Sequence, residues 1–238
     1  MNDQRLIVAL DVSDLAKVKQ IVAALGDSVS YYKVGMELYY SVGREALDFL
    51  RRQDKQVFLD LKFFDIPHTV ARSAAALTGL GISLLTVHAS GGPSMMREAA
   101  QAVAEQARNR GIVRPKLVAV TVLTSISEKE WSILGYGKNT AEQVIHLARL
   151  AQQSGMDGVV ASPREAAEIR KACGRDFLIV TPGIRPQGAG LNDQSRTATP
   201  AGALQNGADY LVVGRPIIAA ADAKLAAENI LREMEGVK

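Results

Sequence analysis

Asp60, Lys62 and Asp65 fall within the hexapeptide DLKFFD, at the end of the apolar run Gln56-Val57-Phe58-Leu59. In an extended strand, side chains two apart share a face, so Asp60 and Lys62 are expected to point the same way. Asp65 is then expected past the strand end, on the following loop. A carboxylate beside an ammonium in a partly dry site is a poised acid/base pair. An ion pair at a strand terminus is common, and worth little when solvated. Here Val57, Phe58 and Leu59 precede the charges and Phe63 and Phe64 lie among them. Those flanks imply partial burial, and buried charge is costly unless paired. They favour chemistry over a solvated surface pair.

The elements that must hold these charges are short apolar runs alternating with Ala-rich amphipathic segments. The runs are Leu6–Val12, Tyr31–Met36, Gln56–Phe63, Ser83–Ala89, Lys116–Leu123, Gly158–Ala161, Phe177–Pro182 and Tyr210–Gly214. Runs apolar on both faces suit parallel strands covered on each side. Helices are predicted over Asp14–Leu25, Gly43–Arg52, Pro67–Leu80, Pro93–Asn109, Thr140–Ser154, Pro163–Ala172 and Asp222–Met234. Ser13 or Asp14, Pro67, Pro93, Asn139 or Thr140, and Ser162-Pro163 stand as cap or first-turn residues. With 238 residues, 47% of them hydrophobic, the chain matches the roughly 250 residues of one α/β barrel. The expectation is a TIM (β/α)8 barrel, one domain over residues 1–238, with a doubly wound open sheet as the weaker alternative.

Polar residues stand at or near the carboxyl ends of these runs: Asp11, Lys33, Asp60 with Lys62, His88, Thr124, Arg185 and Arg215. In a barrel those ends converge on one face, so positions scattered along the chain would line one pocket. Any one of them is ordinary at a strand end; the joint pattern carries the information. The eighth run ends Gly214-Arg215-Pro216, with a helical segment expected from Ile217. Glycine admits close approach of an anion and Arg215 offers a fork of donors suited to phosphate, in the position where barrels usually hold one. The seventh run leads through Arg185 into Gln187–Pro200, a Gly-, Ser- and Thr-rich loop long enough to be a lid, with Arg185 and Gln194 as candidate anion contacts.

Other features bound the function. The net charge is +3, with 28 basic and 25 acidic residues spread along the chain, so no extended basic face announces nucleic acid or an anionic membrane. No apolar run reaches the roughly 18 residues of a membrane span, and the first residues lead directly into Leu6 without room for a secretion signal. Cys173 is the one cysteine, which forbids an internal disulfide, fits a cytoplasmic location, and falls late in a helical stretch where a nucleophile is not expected. His68, His88 and His146 show no zinc-binding spacing.

DLKFFDIPHTV (Asp60–Val70), ALDV (Ala9–Val12), YYKVGMEL (Tyr31–Leu38), VLTS (Val122–Ser125), TPGIRP (Thr181–Pro186) and VVGRPI (Val212–Ile217) together closely resemble the orotidine 5′-phosphate decarboxylase family, in its bacterial form and essentially end to end. The resemblance implies decarboxylation of orotidine 5′-monophosphate to uridine 5′-monophosphate without cofactor or metal, by a homodimer of barrels. It implies Lys62 as proton donor to pyrimidine C6, within an alternating network of Lys33, Asp60, Lys62 and Asp65. It further implies that Asp65 and Thr69 enter the site from the partner subunit. Asp11, Lys33 and Thr69 would hold the ribose, Thr124 the pyrimidine edge, and Arg185, Gln194, Gly214 and Arg215 the phosphate. Two positions depart from the commonest bacterial wording, which has His in place of Phe64 and Asn in place of His68; neither belongs to the charged network.

Losing CO2 from C6 leaves an electron pair in the ring plane, out of reach of the π-system. A fixed ammonium beside C6 can stabilise that pair and then supply the proton. Two rival readings remain: a magnesium-dependent sugar-phosphate decarboxylase or aldolase sharing DxKxxD, and a silent nucleotide-binding barrel. The VLTS segment and the Arg185/Gln194 loop suit a nucleotide.

Overall fold

A computed structural model of the protein describes residues 3–186 and 197–237. Among them eight strands close into a barrel in sequence order. They are β1 (Leu6–Ala9), β2 (Tyr31–Gly35), β3 (Gln56–Phe63), β4 (Leu84–His88), β5 (Lys116–Val120), β6 (Gly158–Val160), β7 (Leu178–Thr181) and β8 (Tyr210–Val213). Every neighbouring pair is parallel, and β1 pairs with β8 to complete the ring. The helices are α1 (Leu15–Leu25), α2 (Met36–Val42), α3 (Arg44–Arg52), α4 (Pro67–Thr78), α5 (Gly92–Arg110), α6 (Glu128–Ile133), α7 (Thr140–Gln153), α8 (Ala166–Cys173), α9 (Pro200–Gln205), α10 (Arg215–Ile218) and α11 (Ala223–Met234). No described helix is long and apolar enough to cross a membrane.

The period-two alternation of the strands builds two cores. Outward residues such as Leu6, Val8, Tyr32, Val34, Leu59 and Leu85 join the helix-facing core. Inward residues Ile7, Tyr31, Phe58, Leu84, Val118, Val180 and Val212 fill the barrel interior. Tyr31 and Tyr210 meet edge to face there, 5.8 Å between centroids. Two residues further along β2, β3 and β4, the inward positions are Lys33, Asp60 and Thr86. An apolar floor thus supports a polar layer at the carboxyl ends of the strands.

Most helix starts follow the sequence signals. Asp14, Asn139 and Asp222 cap α1, α7 and α11 by accepting from Ala16, Glu142 and Leu225 amides at 2.9 Å each, and Pro67 opens α4. The Ser162-Pro163 start is corrected: Ser162 accepts from the Arg164 amide in a turn, and α8 begins only at Ala166. Helices α2, α6 and α9 are not expected as separate elements; each is one or two turns, too short for a hydrophobic period to show. The helical segment expected from Ile217 begins two residues earlier, as α10. Several strands stop one to three residues earlier than their apolar runs, while Leu10, Val122 and Ala161 stay buried beyond the strand ends.

Candidate active site

Strand β3 does not run regularly through its charged end. Leu59 pairs with Leu85, but the next pairing on that side is Phe63 with Val87, so four steps along β3 match two along β4. Within this bulge Lys62 takes φ of +50°, a left-handed conformation unusual for a residue with a side chain. The expectation that plain strand alternation aligns Asp60 and Lys62 is therefore refined: they do meet, through a bulge that re-aims the lysine.

Lys62 Nζ donates to Asp60 Oδ2 at 2.8 Å, Lys33 Nζ lies 3.7 Å from the same oxygen, and Lys33 also donates to Asp11 Oδ1 at 3.0 Å. The result is an alternating chain, Asp11–Lys33–Asp60–Lys62. Asp60 is almost wholly buried. Burial alone would push its carboxyl up, but the ammonium groups of Lys33 and Lys62, with hydrogen bonds from Lys62 and Thr86, outweigh it and hold the group below the usual carboxylate range. Burial would likewise pull Lys33 down, yet Asp60 and Asp11 leave it raised above an ordinary lysine.

Two residues that support this chain were not among the sequence candidates. Thr86, fully buried inside the barrel, donates from Oγ1 to Asp60 Oδ1 at 3.0 Å and accepts from the Lys62 backbone amide at 2.8 Å. Gly35 lets Lys33 fold back: a Cβ there would stand 2.8 Å from Lys33 Nζ. The alternation Leu84, Thr86, His88 along one face was the available signal for Thr86; nothing local marked Gly35.

The polar chain borders a cavity of about 250 Å3 whose lining includes Lys33, Asp60 and Lys62 together with Phe58, Val122, Val160 and Val212, and Thr124 and Ser125. Lys33, Pro182 and Val212 also line a smaller adjoining space of about 110 Å3, bounded by Asp11, Arg185, Gly214 and Arg215. One cleft thus carries acid–base groups at one end and two arginines at the other. Arg185 is buried, with Nη1 donating to the Ile184 carbonyl. Arg215 opens α10, and a Cβ at Gly214 would come within 3.3 Å of Asp11 Oδ2. The ends of the long loop after β7 are joined by the Ile184–Ala198 bridge, where the Arg185 amide donates to the Ala198 carbonyl. Gln194 lies outside the described residues.

Asp65 and Thr69 stand apart. Both are exposed, Asp65 accepts from the next amide, that of Ile66, at 2.6 Å, and among the described residues it forms no ion pair with Lys62. Of the expected four-membered network, one chain assembles Lys33, Asp60 and Lys62, with Asp11 added. Phe64 stacks on His88 at 5.5 Å and is largely exposed, as is Ile66. Burial, then the charge of Lys62, pulls His88 below the usual imidazole value. Among the described residues no group of three His, Cys, Asp or Glu could hold a metal ion.

A larger cavity, about 550 Å3, opens at the opposite end of the barrel between Tyr31, Arg51, Ser83, Arg114 and Lys116. Size does not make it the site: Arg114 is committed to Asp157, and the strand ends that bear barrel chemistry are the other ones.

A parallel eight-stranded barrel with a lysine–carboxylate chain and an anion-suited pole in one cleft is built as an enzyme for a small anionic substrate. The chain belongs to the orotidine 5′-phosphate decarboxylase / HUMPS family, whose sequence profile matches residues 4–230. It is 45% identical over 238 residues to an orotidine 5′-phosphate decarboxylase of Nostoc sp., covering all of both chains. With that of Moorella thermoacetica it shares 48% identity over 235 residues, 98% of this chain and 93% of the relative. The crystal structure of orotidine 5′-phosphate decarboxylase from Lactobacillus acidophilus superposes with a TM-score of 0.86 at 43% identity, covering 98% of this chain and 100% of that one.

Proposed function

We propose that this protein is a carboxy-lyase that converts orotidine 5′-monophosphate to uridine 5′-monophosphate in pyrimidine biosynthesis, as a single catalytic domain. The observation that carries the reading is the Lys62 ammonium, 2.8 Å from Asp60, in the lining of a cavity that it shares with Phe58, Val122, Val160 and Val212. The bond between C6 and its carboxylate breaks and CO2 departs. The electron pair stays on C6 in the ring plane, where the Lys62 ammonium stabilises it and then transfers a proton to C6. Lys62 is left neutral and regains its proton from solvent. Asp60, itself paired with Lys33, holds the lysine in place, and the stabilisation is preorganised rather than assembled during the step.

Phe58, Val122, Val160 and Val212 suit the faces of a pyrimidine, with Thr124 at its edge. Asp11 and Lys33 suit ribose hydroxyls, and Arg185, Gly214 and Arg215 suit the phosphate, with Gln194 assigned there from the family likeness alone. Phosphate binding far from C6 supplies energy for orienting the ring. Asp65 and Thr69 are assigned to the site of a partner subunit in a homodimer. The exposed Phe64 and Ile66 flanking Asp65, 62% and 66% accessible, offer apolar surface suited to a second copy. A cytoplasmic location accords with the single, buried, reduced Cys173.

The decisive assay follows the ultraviolet absorbance loss of orotidine 5′-monophosphate with wild type and Lys62→Ala. Equal rates in the two, or none in the wild type, would end this assignment. Chelator treatment addresses the magnesium-dependent alternative: the decarboxylation proposed here survives EDTA. Mixing inactive Lys62→Ala with inactive Asp65→Ala tests the shared site, because hybrid dimers regain one complete set of residues; absence of recovered activity counts against a crossing Asp65.

A further inference from the structure

We infer that Thr86 is a positioning residue for Lys62, acting through its hydroxyl, which ties the lysine's backbone to the carboxylate that its side chain meets. The inference rests on the reading of Lys62 as the proton donor and deepens it. Thr86 is wholly buried in the barrel interior, and Oγ1 makes two contacts: it accepts from the Lys62 amide at 2.8 Å and donates to Asp60 Oδ1 at 3.0 Å. A hydroxyl can do both at once; a methyl can do neither.

The location gives the contact its force. Between the Leu59–Leu85 and Phe63–Val87 pairings the β3–β4 ladder slips by two residues, so the Lys62 amide finds its partner in a side chain. Lys62 also holds φ of +50°, which costs energy in any residue with a Cβ and persists only where the surroundings enforce it. The hydroxyl is the enforcing contact on the β4 side. Its donor is spent on Asp60, which keeps the carboxylate oriented with Oδ2 turned to the Lys62 and Lys33 ammonium groups. The backbone of the lysine and the carboxylate that receives its side chain are thus pinned to one oxygen. Removing that oxygen strands a part-buried amide and a buried carboxylate oxygen. The bulge then relaxes toward regular strand, in which a small change of register moves a side chain to another face.

The test compares Thr86→Val, which keeps shape and loses the hydroxyl, with Thr86→Ser, which keeps the hydroxyl and loses the methyl. For Thr86→Val, kcat is expected to fall by roughly ten- to a hundredfold, the loss of a charge-assisted contact carried into the barrier. KM should change little, because the contacts to phosphate and base are untouched. The acidic limb of the kcat profile should move to higher pH, since Asp60 loses a donor to its ionised form. Thr86→Ser should stay within about threefold of wild type. Hydrogen exchange at the Lys62 amide reads the contact without catalysis: protection should persist in the serine variant and vanish in the valine variant.

Wild-type kcat and an unmoved acidic limb in Thr86→Val would overturn the inference while leaving the decarboxylase reading intact. So would equal impairment of both variants, which marks a packing role, or unchanged exchange at Lys62. If wild type itself releases no CO2, the functional reading fails first and the exchange experiment still decides the contact. Should the valine variant not fold, Thr86→Ala against Thr86→Ser makes the same comparison.

Discussion

Asp60→Asn isolates the charge at the centre of the site, because the amide keeps nearly the same shape and retains an acceptor for Thr86. In the wild type Asp60 Oδ2 stands 2.8 Å from Lys62 Nζ and 3.7 Å from Lys33 Nζ. At an effective dielectric near 20 these separations correspond to gross attractions of about 6 and about 4 kcal/mol. Desolvation opposes both, and removing one partner of such a buried group costs about 3–5 kcal/mol net. At roughly 2–4 °C per kcal/mol for a chain of this size, the melting temperature should fall by about 6–20 °C. The pH dependence discriminates further. The depressed carboxyl of Asp60 contributes stability that is present above the unfolded aspartate value near 3.9 and is lost as pH falls through its folded value. The raised Lys33 contributes below the unfolded lysine value near 10.4 and loses that contribution as pH rises through its folded value. The stability gap between wild type and Asp60→Asn should therefore be flat from about pH 5 to pH 9 and shrink below about pH 4. Urea unfolding at neutral pH and near pH 3, together with the decarboxylation assay, measures this. A variant within about 0.5 kcal/mol of wild type at neutral pH, or one that retains full kcat, would refute the account of Asp60 as the hub.

At Gly214→Ala the added methyl would sit 3.3 Å from Asp11 Oδ2 and 3.5 Å from Ala9 Cβ, so Asp11 must shift; KM should rise roughly tenfold with little change in melting temperature, and unchanged kinetics would detach Gly214 from the site. Gly158→Ala places a Cβ 2.3 Å from the Leu178 carbonyl oxygen, between β6 and β7. Calorimetry should show a loss of about 1–3 kcal/mol or more while the folded fraction keeps its specific activity. The Arg170 guanidinium donates to the carbonyls of Gly174, Arg175, Phe177 and Gly207 and to Asp209, tying α8 to the loops before β7 and β8. Arg170→Ala should cost about 3 kcal/mol in urea unfolding, and a neutral result would show those carbonyls re-solvating freely.

The barrel was readable because its strands are apolar on both faces and recur eight times, and the carboxyl-end residues were readable because the fold then dictates where they converge. Asp11, Lys33, Asp60 and Lys62 assemble in one chain for that reason. What escaped the sequence is local and depends on neighbouring strands. The slip between β3 and β4 is a property of two strands together, and no window along β3 alone reveals that Lys62 leaves the extended conformation. Thr86 is a β-branched residue ordinary in a strand, and only the placing of its hydroxyl between polar groups of β3 marks it. Gly35 owes its importance to a lysine side chain folding back over it. Asp65 illustrates the remaining limit: its place in the sequence motif does not bring it to Lys62 in the folded chain, where it is exposed and accepts from the Ile66 amide.

The layering of the barrel interior explains how such a site is tolerated. Ile7, Tyr31, Phe58, Leu84, Val118, Val180 and Val212 form a dry floor, and the next inward positions on β2, β3 and β4 are a lysine, an aspartate and a threonine. A dry floor strengthens each charge–charge contact above it, but it also makes any lone charge there expensive. Alternation of sign resolves the conflict, because Lys33 and Asp60 each face opposite charge on two sides. Lys62 ends the chain, with Asp60 as its one carboxylate partner among the described residues. Lys62 also lines the cavity. The terminal position thus fits the proposal that Lys62 is the member of the chain whose charge and proton serve the chemistry, with Lys33, held from both sides, suited to binding.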